Sequence, residues 1–229
     1  MRIDGASRPT AGALRLVEPR TGEPKSVDVT DYIQQMAAHC PYLAPSVERE
    51  LTGWTVYRAD GDAEAVEAEL FHAGTQAAEW IRPLAGRPHG ALVCENIVLL
   101  GDVTGARHRE LMTWPHWALK NLYGPVGVMF GKFYEGDEEI SQIGERIPAA
   151  PFSFIAVRAA VRRRDPRFLQ ATPDLAAALA VAQDDGRDVF EHVPYDWKEV
   201  RAWAQQLLLP TRPSTSSPSG SACPSRPAS

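Results

Sequence analysis

The spacing of hydrophobic positions along the chain changes several times between that of an amphipathic helix and that of a β-strand. Apolar residues three or four positions apart predict helices, whereas alternating or short continuous apolar runs predict strands. Helices are predicted on this basis at residues 28–39, 62–86, 113–124 and 172–186, and from residue 196 onward. Strands are predicted at residues 54–58, 91–100, 126–133 and 152–161.

Residues with capping or turn-forming properties mark the ends of these helices. Asp62 is placed to cap the second helix, which carries an apolar stripe and stops at Gly86. Pro115 is favoured in a first helical turn, so it predicts that the third helix begins just before it. Asp196 and Glu199 have the spacing of a capping box, which predicts the start of the last helix.

The order of the predicted elements indicates the fold class. Strands alternate with helices in a way that favours an α/β fold, in which a mixed sheet of four or five strands has helices packed on its faces. The same element order resembles that of thioredoxin-like proteins. The sequence lacks, however, the Cys-x-x-Cys pair that thiol–disulfide exchange requires at the first helix. We therefore do not predict a thiol–disulfide oxidoreductase.

The two ends of the chain differ in composition from its central part. Residues 1–28 are rich in Gly, Pro, Arg and Thr and are predicted to form a loosely ordered arm, although residues 13–17 have the pattern of a short edge strand. Residues 210–229 consist largely of Pro, Ser, Thr, Arg and Gly, and such a segment buries too little apolar surface to offset the entropy lost on ordering. The sequence thus predicts a single α/β domain at residues 29–209, followed by a disordered tail.

The overall composition is typical of a globular protein, because 44% of the 229 residues are hydrophobic and 23% are charged. A formal net charge of -5 argues against broad electrostatic binding to nucleic acid. The first ten residues lack an apolar core of signal-peptide length, and no run of about 18 apolar residues occurs. We expect a cytoplasmic protein that acts on a small molecule, without nucleic-acid or membrane partners. A homodimer is left open.

The cysteine content also favours a location in the cytoplasm. Cys40, Cys94 and Cys223 cannot all pair with one another, and the last of them lies in the predicted tail. They therefore form no disulfide framework, and reduced thiols are expected.

Five short segments carry a recognisable pattern. They are Cys40-Pro41-Tyr42; His116 with Leu119 and Lys120; residues 127–133; residues 150–159, which include Arg158; and Asp165 with Phe168 and Leu169. With this pattern, residues 38–185 resemble an uncharacterised actinobacterial family, known mainly as a domain of unknown function and often encoded beside natural-product genes. The resemblance implies a setting in specialised metabolism but identifies no reaction.

The chain departs from that family pattern at two positions. Ala150 stands where the pattern has a serine, and Ala159 stands where it has a histidine after the arginine. If that histidine is functional in the family, this chain lacks it or uses another residue.

Cys40 is the first candidate functional residue. A thiol followed by a proline at the end of a short helix is a plausible thiolate ligand for haem iron, since proline removes one backbone donor and fixes the local turn. The alternative is that Cys40 is a small buried apolar residue, as free cysteines commonly are.

Two histidines are candidate cofactor contacts. His39 precedes Cys40, and His116 lies near the start of a predicted helix that also carries Trp114 and Trp117. Both histidines are placed to face a flat aromatic cofactor, as a ligand, an acid or a base. For each, the alternative is a partly exposed polar side chain without a catalytic role.

Arg158 is the second main candidate, because an arginine on an otherwise apolar strand must find a carboxylate. That carboxylate can belong to the protein, to a haem propionate or to a substrate. Within the chain, Asp165 and the acidic run at residues 137–139 are the candidate partners. A structural ion pair is the alternative to a functional role.

Two functions from different classes follow from these candidates. The first is a small haem-dependent oxidoreductase of specialised metabolism that oxidises the nitrogen of an amine or amino acid. In it, Cys40 ligates iron, His39 and Lys120 contact the cofactor, and His116 and Arg158 serve both in cofactor binding and in catalysis. The second is a cofactor-free accessory or binding protein that holds a small anionic metabolite through Arg158 and Lys120.

Overall fold

The structure is a computed structural model, and it describes residues 13–101, 105–140, 144–161, 165, 173–193 and 196–207. Four features of the sequence lie outside these residues: the predicted tail at 210–229, Cys223, and the motif residues Phe168 and Leu169.

A five-stranded mixed sheet forms the centre of the fold, which confirms the predicted α/β class. Its strands are β1 (Leu14–Thr21), β2 (Thr52–Ala59), β3 (Cys94–Leu100), β4 (Val128–Phe133) and β7 (Ser153–Ala159), in the order β1-β2-β3-β7-β4. β2 and β3 run parallel, and each of the other neighbouring pairs is antiparallel. Two short strands, β5 (Glu139–Ile140) and β6 (Arg146–Ile147), form a separate ribbon between β4 and β7.

Six α-helices are described. They are α1 (Thr30–Ala37), α2 (Leu43–Glu48), α3 (Ala63–Ile81), α4 (Gly105–Tyr123), α5 (Pro173–Val181) and α6 (Trp197–Gln206). Short 3-10 turns at Arg82–Leu84, Gly90–Leu92 and Gly124–Val126 follow α3, precede β3 and follow α4.

The helices cover both faces of the sheet, because alternate residues of each strand point to opposite sides. On the first face, Trp54, Val56, Val98 and Phe154 pack with Tyr32, Ile33 and Met36 of α1. On the second face, Ile97, Leu99, Phe130, Ile155 and Val157 pack in one cluster with apolar residues of α3, α4 and α6. Any strand residue can therefore be assigned to the α1 side or to the α3–α4 side.

Two predicted helix starts are confirmed by their caps. Asp62 accepts a hydrogen bond from the backbone N–H of Ala65 at 3.0 Å, and α3 begins at the next residue, Ala63. Asp196 accepts hydrogen bonds from the N–H groups of Lys198 and Glu199, and α6 begins at Trp197. These contacts are local in sequence, which explains why the residue pattern was enough to predict them.

The predicted start of α4 was wrong. The helix begins at Gly105, and Pro115 lies inside it rather than in its first turn. Leu111, Met112 and Leu119 lie on both sides of the proline and are all buried in the core of the second face. Their burial offsets the hydrogen bond that a proline removes from a helix interior. The α5 helix also differs, since it ends at Val181 rather than near residue 186.

Part of the segment expected to be a loosely ordered arm is a strand. β1 pairs antiparallel with β2 from Leu14, opposite Ala59, to Thr21, opposite Gly53. The carboxylate of Glu69 in α3 also accepts hydrogen bonds from the N–H groups of Ala13 and Leu14, at 2.8 and 2.6 Å. The edge-strand alternative was therefore the correct one. The composition of this segment favours little local structure, but distant residues satisfy its backbone hydrogen bonds.

Candidate functional site

Arg158 lies near the end of β7 and has neighbours on both sides in the sheet. It is opposite Cys94, the first residue of β3, and opposite Met129 in β4. Phe154 is an even number of residues away in the same strand and packs in the core of the first face. Arg158 therefore lies on the α1 side, at the end of the sheet where β3 begins.

The carboxylate that Arg158 requires comes from Asp165. Arg158 Nη2 donates to Asp165 Oδ1 at 2.5 Å, and Arg158 Nη1 donates to Asp165 Oδ2 at 3.1 Å. Asp165 Oδ2 also accepts the backbone N–H of Val161 at 2.6 Å. Both side chains are largely buried, with 13% of Arg158 and 3% of Asp165 exposed. This confirms Asp165, rather than the acidic run at residues 137–139, as the partner.

The balance of burial and charge keeps the Arg158 guanidinium charged. Burial alone lowers the pKa of Arg158, but the hydrogen bond and the charge of Asp165 raise it by more, so that its pKa lies above the ordinary value. Arg158 Nη1 also donates to the carbonyl oxygen of Ala159 at 2.9 Å. These three bonds use three of the five N–H groups of a guanidinium. The other two N–H groups have no hydrogen-bond acceptor among the residues that the structure describes.

The Cys-Pro-aromatic motif lies against the same arginine. The guanidinium carbon of Arg158 is 5.1 Å from the centre of the Tyr42 ring, a distance at which a cation and an aromatic face attract each other. Cys40 lies in the turn between α1 and α2, where its N–H donates to Met36 O at 2.9 Å and its carbonyl accepts from Leu43 N at 3.2 Å. Its thiol is free and half-buried.

Cys94 completes the group, although no sequence pattern singled it out. Burial raises the pKa of its thiol to about 12; the charge of Arg158 opposes this shift and that of Cys40 adds to it. Cys40 and Cys94 therefore both lie within electrostatic reach of the same guanidinium and of each other. We name Cys40, Tyr42, Cys94, Arg158 and Asp165 the sheet-end cluster.

His39 has a different partner. Its Nδ1 is 3.8 Å from Oε2 of Glu145, next to β6, and 16% of the His39 side chain is exposed. This contact joins the end of α1 to the segment that precedes β6. Among the described residues, the His39 side chain makes no hydrogen bond or ion pair with a member of the sheet-end cluster.

His116 and Lys120 lie on the opposite side of the sheet from the cluster. His116 Nε2 donates to the carbonyl oxygen of Phe130 at 3.1 Å, and Phe130 belongs to the core of the second face. The Lys120 ammonium lies 5.6 Å from the ring of Trp117 in the same helix. The structure therefore does not bring either residue to Cys40 or Arg158.

His116 is an electrically neutral, buried side chain. Burial is the largest cause that lowers its pKa to about 3; the charges of Lys132 and Lys120 lower it further, while the hydrogen bond to Phe130 opposes the shift. Its Nδ1 is buried and has no hydrogen-bond partner among the described residues. A neutral imidazole with one bond to a backbone carbonyl fits a structural tie between α4 and β4.

The residues predicted to hold haem do not assemble into one site. Cys40 and His116 are separated by the sheet, so they cannot ligate iron on the two sides of one macrocycle. Adjacent residues such as His39 and Cys40 cannot do so either. Arg158, the candidate partner of a propionate, is held by a protein carboxylate at two points. We therefore derive no chemistry through haem from this arrangement.

Two buried polar groups on the second face were not predicted as candidates. His108 Nδ1 lies 3.2 Å from Ser153 Oγ, which accepts the N–H of Glu135 at 3.1 Å, and both side chains are almost fully buried. Glu95 accepts a hydrogen bond from Thr55 Oγ1 at 2.5 Å, and burial raises its pKa to about 7. The first group ties α4 to the beginning of β7, and the second is a carboxyl group whose charge changes near neutral pH.

The described residues contain neither a membrane-spanning helix nor a cluster of metal ligands. None of the described helices combines the length and the apolar character that crossing a bilayer requires. The described His, Cys, Asp and Glu side chains form no group of three or more that could hold a metal ion.

The chain was compared with known proteins. No curated protein and no solved structure was found to match it. A family model described as a domain of unknown function, DUF6875, matches residues 31–187, which is more than half of the chain. The match includes every residue of the sheet-end cluster, α2 to α5 and all of α1 except its first residue, whereas β1 and α6 lie outside it. The chain therefore belongs to the DUF6875 family, a family of unknown function.

Proposed function

We propose that the protein is a cofactor-free binding protein whose ligand is a small anionic metabolite held at the sheet-end cluster. One observation carries the proposal: the Arg158 guanidinium is largely buried at the end of an apolar strand, yet after its bonds to Asp165 and Ala159 two of its N–H groups have no acceptor within the described part of the chain. A buried guanidinium with spare donors is suited to a carboxylate or phosphate oxygen.

The neighbours of Arg158 support a small ligand with a polar group at one end. Tyr42 covers one face of the guanidinium, and the thiols of Cys40 and Cys94 supply polarizable, weakly polar surface beside it. Lys120 is no longer part of the proposal, because it lies on the other face of the sheet. The anion is expected to contact Arg158 alone among the basic residues first considered.

The resemblance to an actinobacterial family met beside natural-product genes extends the proposal. We infer that the metabolite belongs to specialised metabolism and that the protein acts in the cytoplasm, where Cys40 and Cys94 stay reduced. Both cysteines are free thiols in the structure, which is consistent with that compartment.

Calorimetric titration of the full-length protein tests the proposal. The probes are succinate and inorganic phosphate, titrated separately at constant ionic strength and under a reducing agent, so that the two sources of an oxyanion are distinguished. We expect saturable binding of at least one probe. Arg158→Gln should abolish it, and Arg158→Lys should weaken it by about tenfold or more, because lysine lacks the planar fork of donors.

Lys120→Gln is the matched control, since it removes a cation on the opposite face and should leave binding unchanged. Absence of saturable binding for both probes would overturn the proposal, and so would binding that Arg158→Lys leaves intact.

Haem-dependent oxidation of nitrogen in an amine or amino acid is the competing function that the sequence suggested. It predicts a Soret absorption band in protein produced with a haem supply, and a change of that band in Cys40→Ala. A Soret band that responds to Cys40→Ala would replace the cofactor-free proposal with this one.

A further inference from the structure

We propose that Arg15 and Arg58 form a second anion site, which takes the diphosphate group of a small molecule. The two arginines are direct partners across the antiparallel β1–β2 ladder. Cross-strand partners hold their Cβ atoms about 5 Å apart, so both guanidinium groups can reach one ligand. This site is separate from the sheet-end cluster and does not depend on the function proposed above.

The arginine pair lies on the first face, at the end of the sheet opposite to the sheet-end cluster. Arg58 is two residues from Val56, which packs in the core of the first face, and it is opposite Leu100, the last residue of β3. The parallel strands β2 and β3 both end here, and ligands of open α/β sheets commonly bind at the carboxyl ends of the strands. The sheet-end cluster is about 20 Å away along β3, since Cys94 and Leu100 are six residues apart (100 − 94 = 6).

No described residue neutralises these two charges. Among the residues that the structure describes, neither arginine forms an ion pair or a side-chain hydrogen bond, and the buried Nε of Arg58 has no acceptor. The carboxylate of Glu18, in the same strand as Arg15, is engaged by Arg20 at 3.1 Å and by the N–H of Ser26 at 2.9 Å. Like charges directly opposite each other destabilise a sheet, and a buried N–H without an acceptor adds to the cost. This arrangement indicates an anionic group that the described chain does not itself supply.

Two neighbouring guanidinium groups match two linked phosphates. One guanidinium pairs with one phosphate through two parallel N–H···O bonds, so each arginine can hold one phosphate of a diphosphate. Arg15 is exposed and Arg58 is half-buried, and a single exposed ion pair contributes little. The covalent link raises the effective concentration of the second phosphate once the first is bound. Diphosphate also carries more negative charge than inorganic phosphate or succinate, so those two ions should bind here too weakly to be measured.

Calorimetric titration of the full-length protein at low ionic strength, without divalent cations, tests the site. The probes are inorganic diphosphate and ADP, which carry the same group as a free ion and as an ester, and the tighter binder identifies the source. We expect saturable binding of at least one. Arg15→Gln and Arg58→Gln should each weaken it by about tenfold or more, because each removes one fork of donors. Arg107→Gln is the matched control, since it removes an exposed arginine that pairs with Glu110 in α4.

Reversal of one charge gives a second readout. Arg15→Glu places a carboxylate opposite Arg58, so it should abolish diphosphate binding. It should also raise the melting temperature of the ligand-free protein, because a pair of opposite charges replaces a pair of like charges. Circular dichroism during heating measures this change. A variant that is merely misfolded would lose binding and thermal stability together.

Three results would overturn the inference: no saturable binding of either probe, binding that both glutamine substitutions leave intact, or a lower melting temperature in Arg15→Glu. Arg158→Lys separates this site from the sheet-end cluster, since diphosphate binding should survive that substitution. Diphosphate binding that Arg158→Lys abolishes would contradict a second site. Failure of diphosphate binding leaves the proposal for Arg158 standing, because succinate and inorganic phosphate test that proposal separately.

Discussion

The Arg158 guanidinium meets the Asp165 carboxylate at two points, with Nη2 2.5 Å from Oδ1 and Nη1 3.1 Å from Oδ2. Asp165 Oδ2 also accepts the N–H of Val161, so the carboxylate fastens the chain that leaves β7 back onto the end of that strand. The same arginine lies against Tyr42 and beside two thiols. The ion pair therefore holds this segment against the end of β7 and also forms part of the candidate site.

Removing the charge of Asp165 should destabilise the protein strongly. Asp165→Asn leaves the largely buried Arg158 without a counter-charge, a change that typically costs about 3–5 kcal/mol of the free energy of unfolding. Urea denaturation measures the loss. Glu138→Gln is the control, because Glu138 pairs with Arg146 at 3.0 Å on the surface and should contribute about 1 kcal/mol or less. Equal losses of unfolding free energy in the two variants would contradict a stabilising role for the buried Arg158–Asp165 ion pair.

Glu95 should make stability fall as the pH rises through neutrality. Burial raises the pKa of Glu95 to about 7 from an ordinary value of 4.5, so the folded protein holds a proton that the unfolded chain releases. The folded state is therefore favoured below pH 4.5, and this advantage is lost as the pH rises to about 7. The shift corresponds to at most about 3 kcal/mol.

Glu95→Gln tests this dependence, because glutamine keeps an acceptor for Thr55 but cannot ionise. Relative to the wild type, the variant should be more stable at pH 8 than at pH 4.5, as measured by urea denaturation at both values. The exposed Glu191, whose side chain is 71% accessible, is the site of the control substitution Glu191→Gln. A constant difference between Glu95→Gln and wild type across this range would contradict the prediction.

His116 should make the stability of the protein fall as the pH is lowered, which is the opposite of the effect expected for Glu95. Its pKa is lowered to about 3 from 6.5, first of all by burial, so the unfolded chain binds a proton that the folded protein does not. Stability from this group is complete above pH 6.5 and is lost as the pH falls toward 3, by about 1.4 kcal/mol for each pH unit.

His116→Gln keeps a side-chain donor for the Phe130 carbonyl and removes the titration. Its free energy of unfolding should therefore fall less than that of the wild type between pH 7 and pH 5. His192→Gln is the control, since the His192 side chain is 87% exposed. If wild type and His116→Gln lose stability in parallel, His116 does not titrate as the structure implies.

Trp197 should hold α6 to the rest of the fold. Its Nε1 donates to the buried Oε2 of Glu67 at 3.1 Å, which also lies 3.4 Å from Arg201. Trp197→Phe removes the donor and leaves the carboxylate with one partner fewer, so we expect a loss of about 1–3 kcal/mol in the free energy of unfolding. Trp80→Phe is the control, because Trp80 is 55% exposed and should change stability little. Guanidinium denaturation measures the free energy of unfolding of both variants. An equal loss in the two would contradict a role for the Trp197–Glu67 contact.

The sequence correctly predicted elements whose signals are local. The caps at Asp62 and Asp196, and the apolar period of α3, act within a few residues, so the pattern alone placed these helices. The prediction that Arg158 needs a carboxylate also used only neighbouring residues, because it followed from the position of a cation on an apolar strand. Asp165, only seven residues further on, is the partner.

The errors arose where distant contacts outweigh local preference. Pro115 is an effective marker of a helix start in isolation, but packing of Leu111, Met112 and Leu119 against the second face carries α4 through it. Residues 14–21 look weakly structured by composition, but they find their hydrogen bonds on β2. Neither outcome can be read from a window of a dozen residues.

Strand register and the separation of the two sheet faces decided which residues meet in the candidate site. The sequence by itself determined the α/β class, most of the elements and the candidate residues Cys40, His116 and Arg158. Only the tertiary structure placed Cys94 opposite Arg158 and moved His116 to the other face. Successive strand residues point to opposite sides, so a shift of one residue in the pairing of β3 with β7 would reverse that placement. Such a register depends on contacts between residues far apart in the chain.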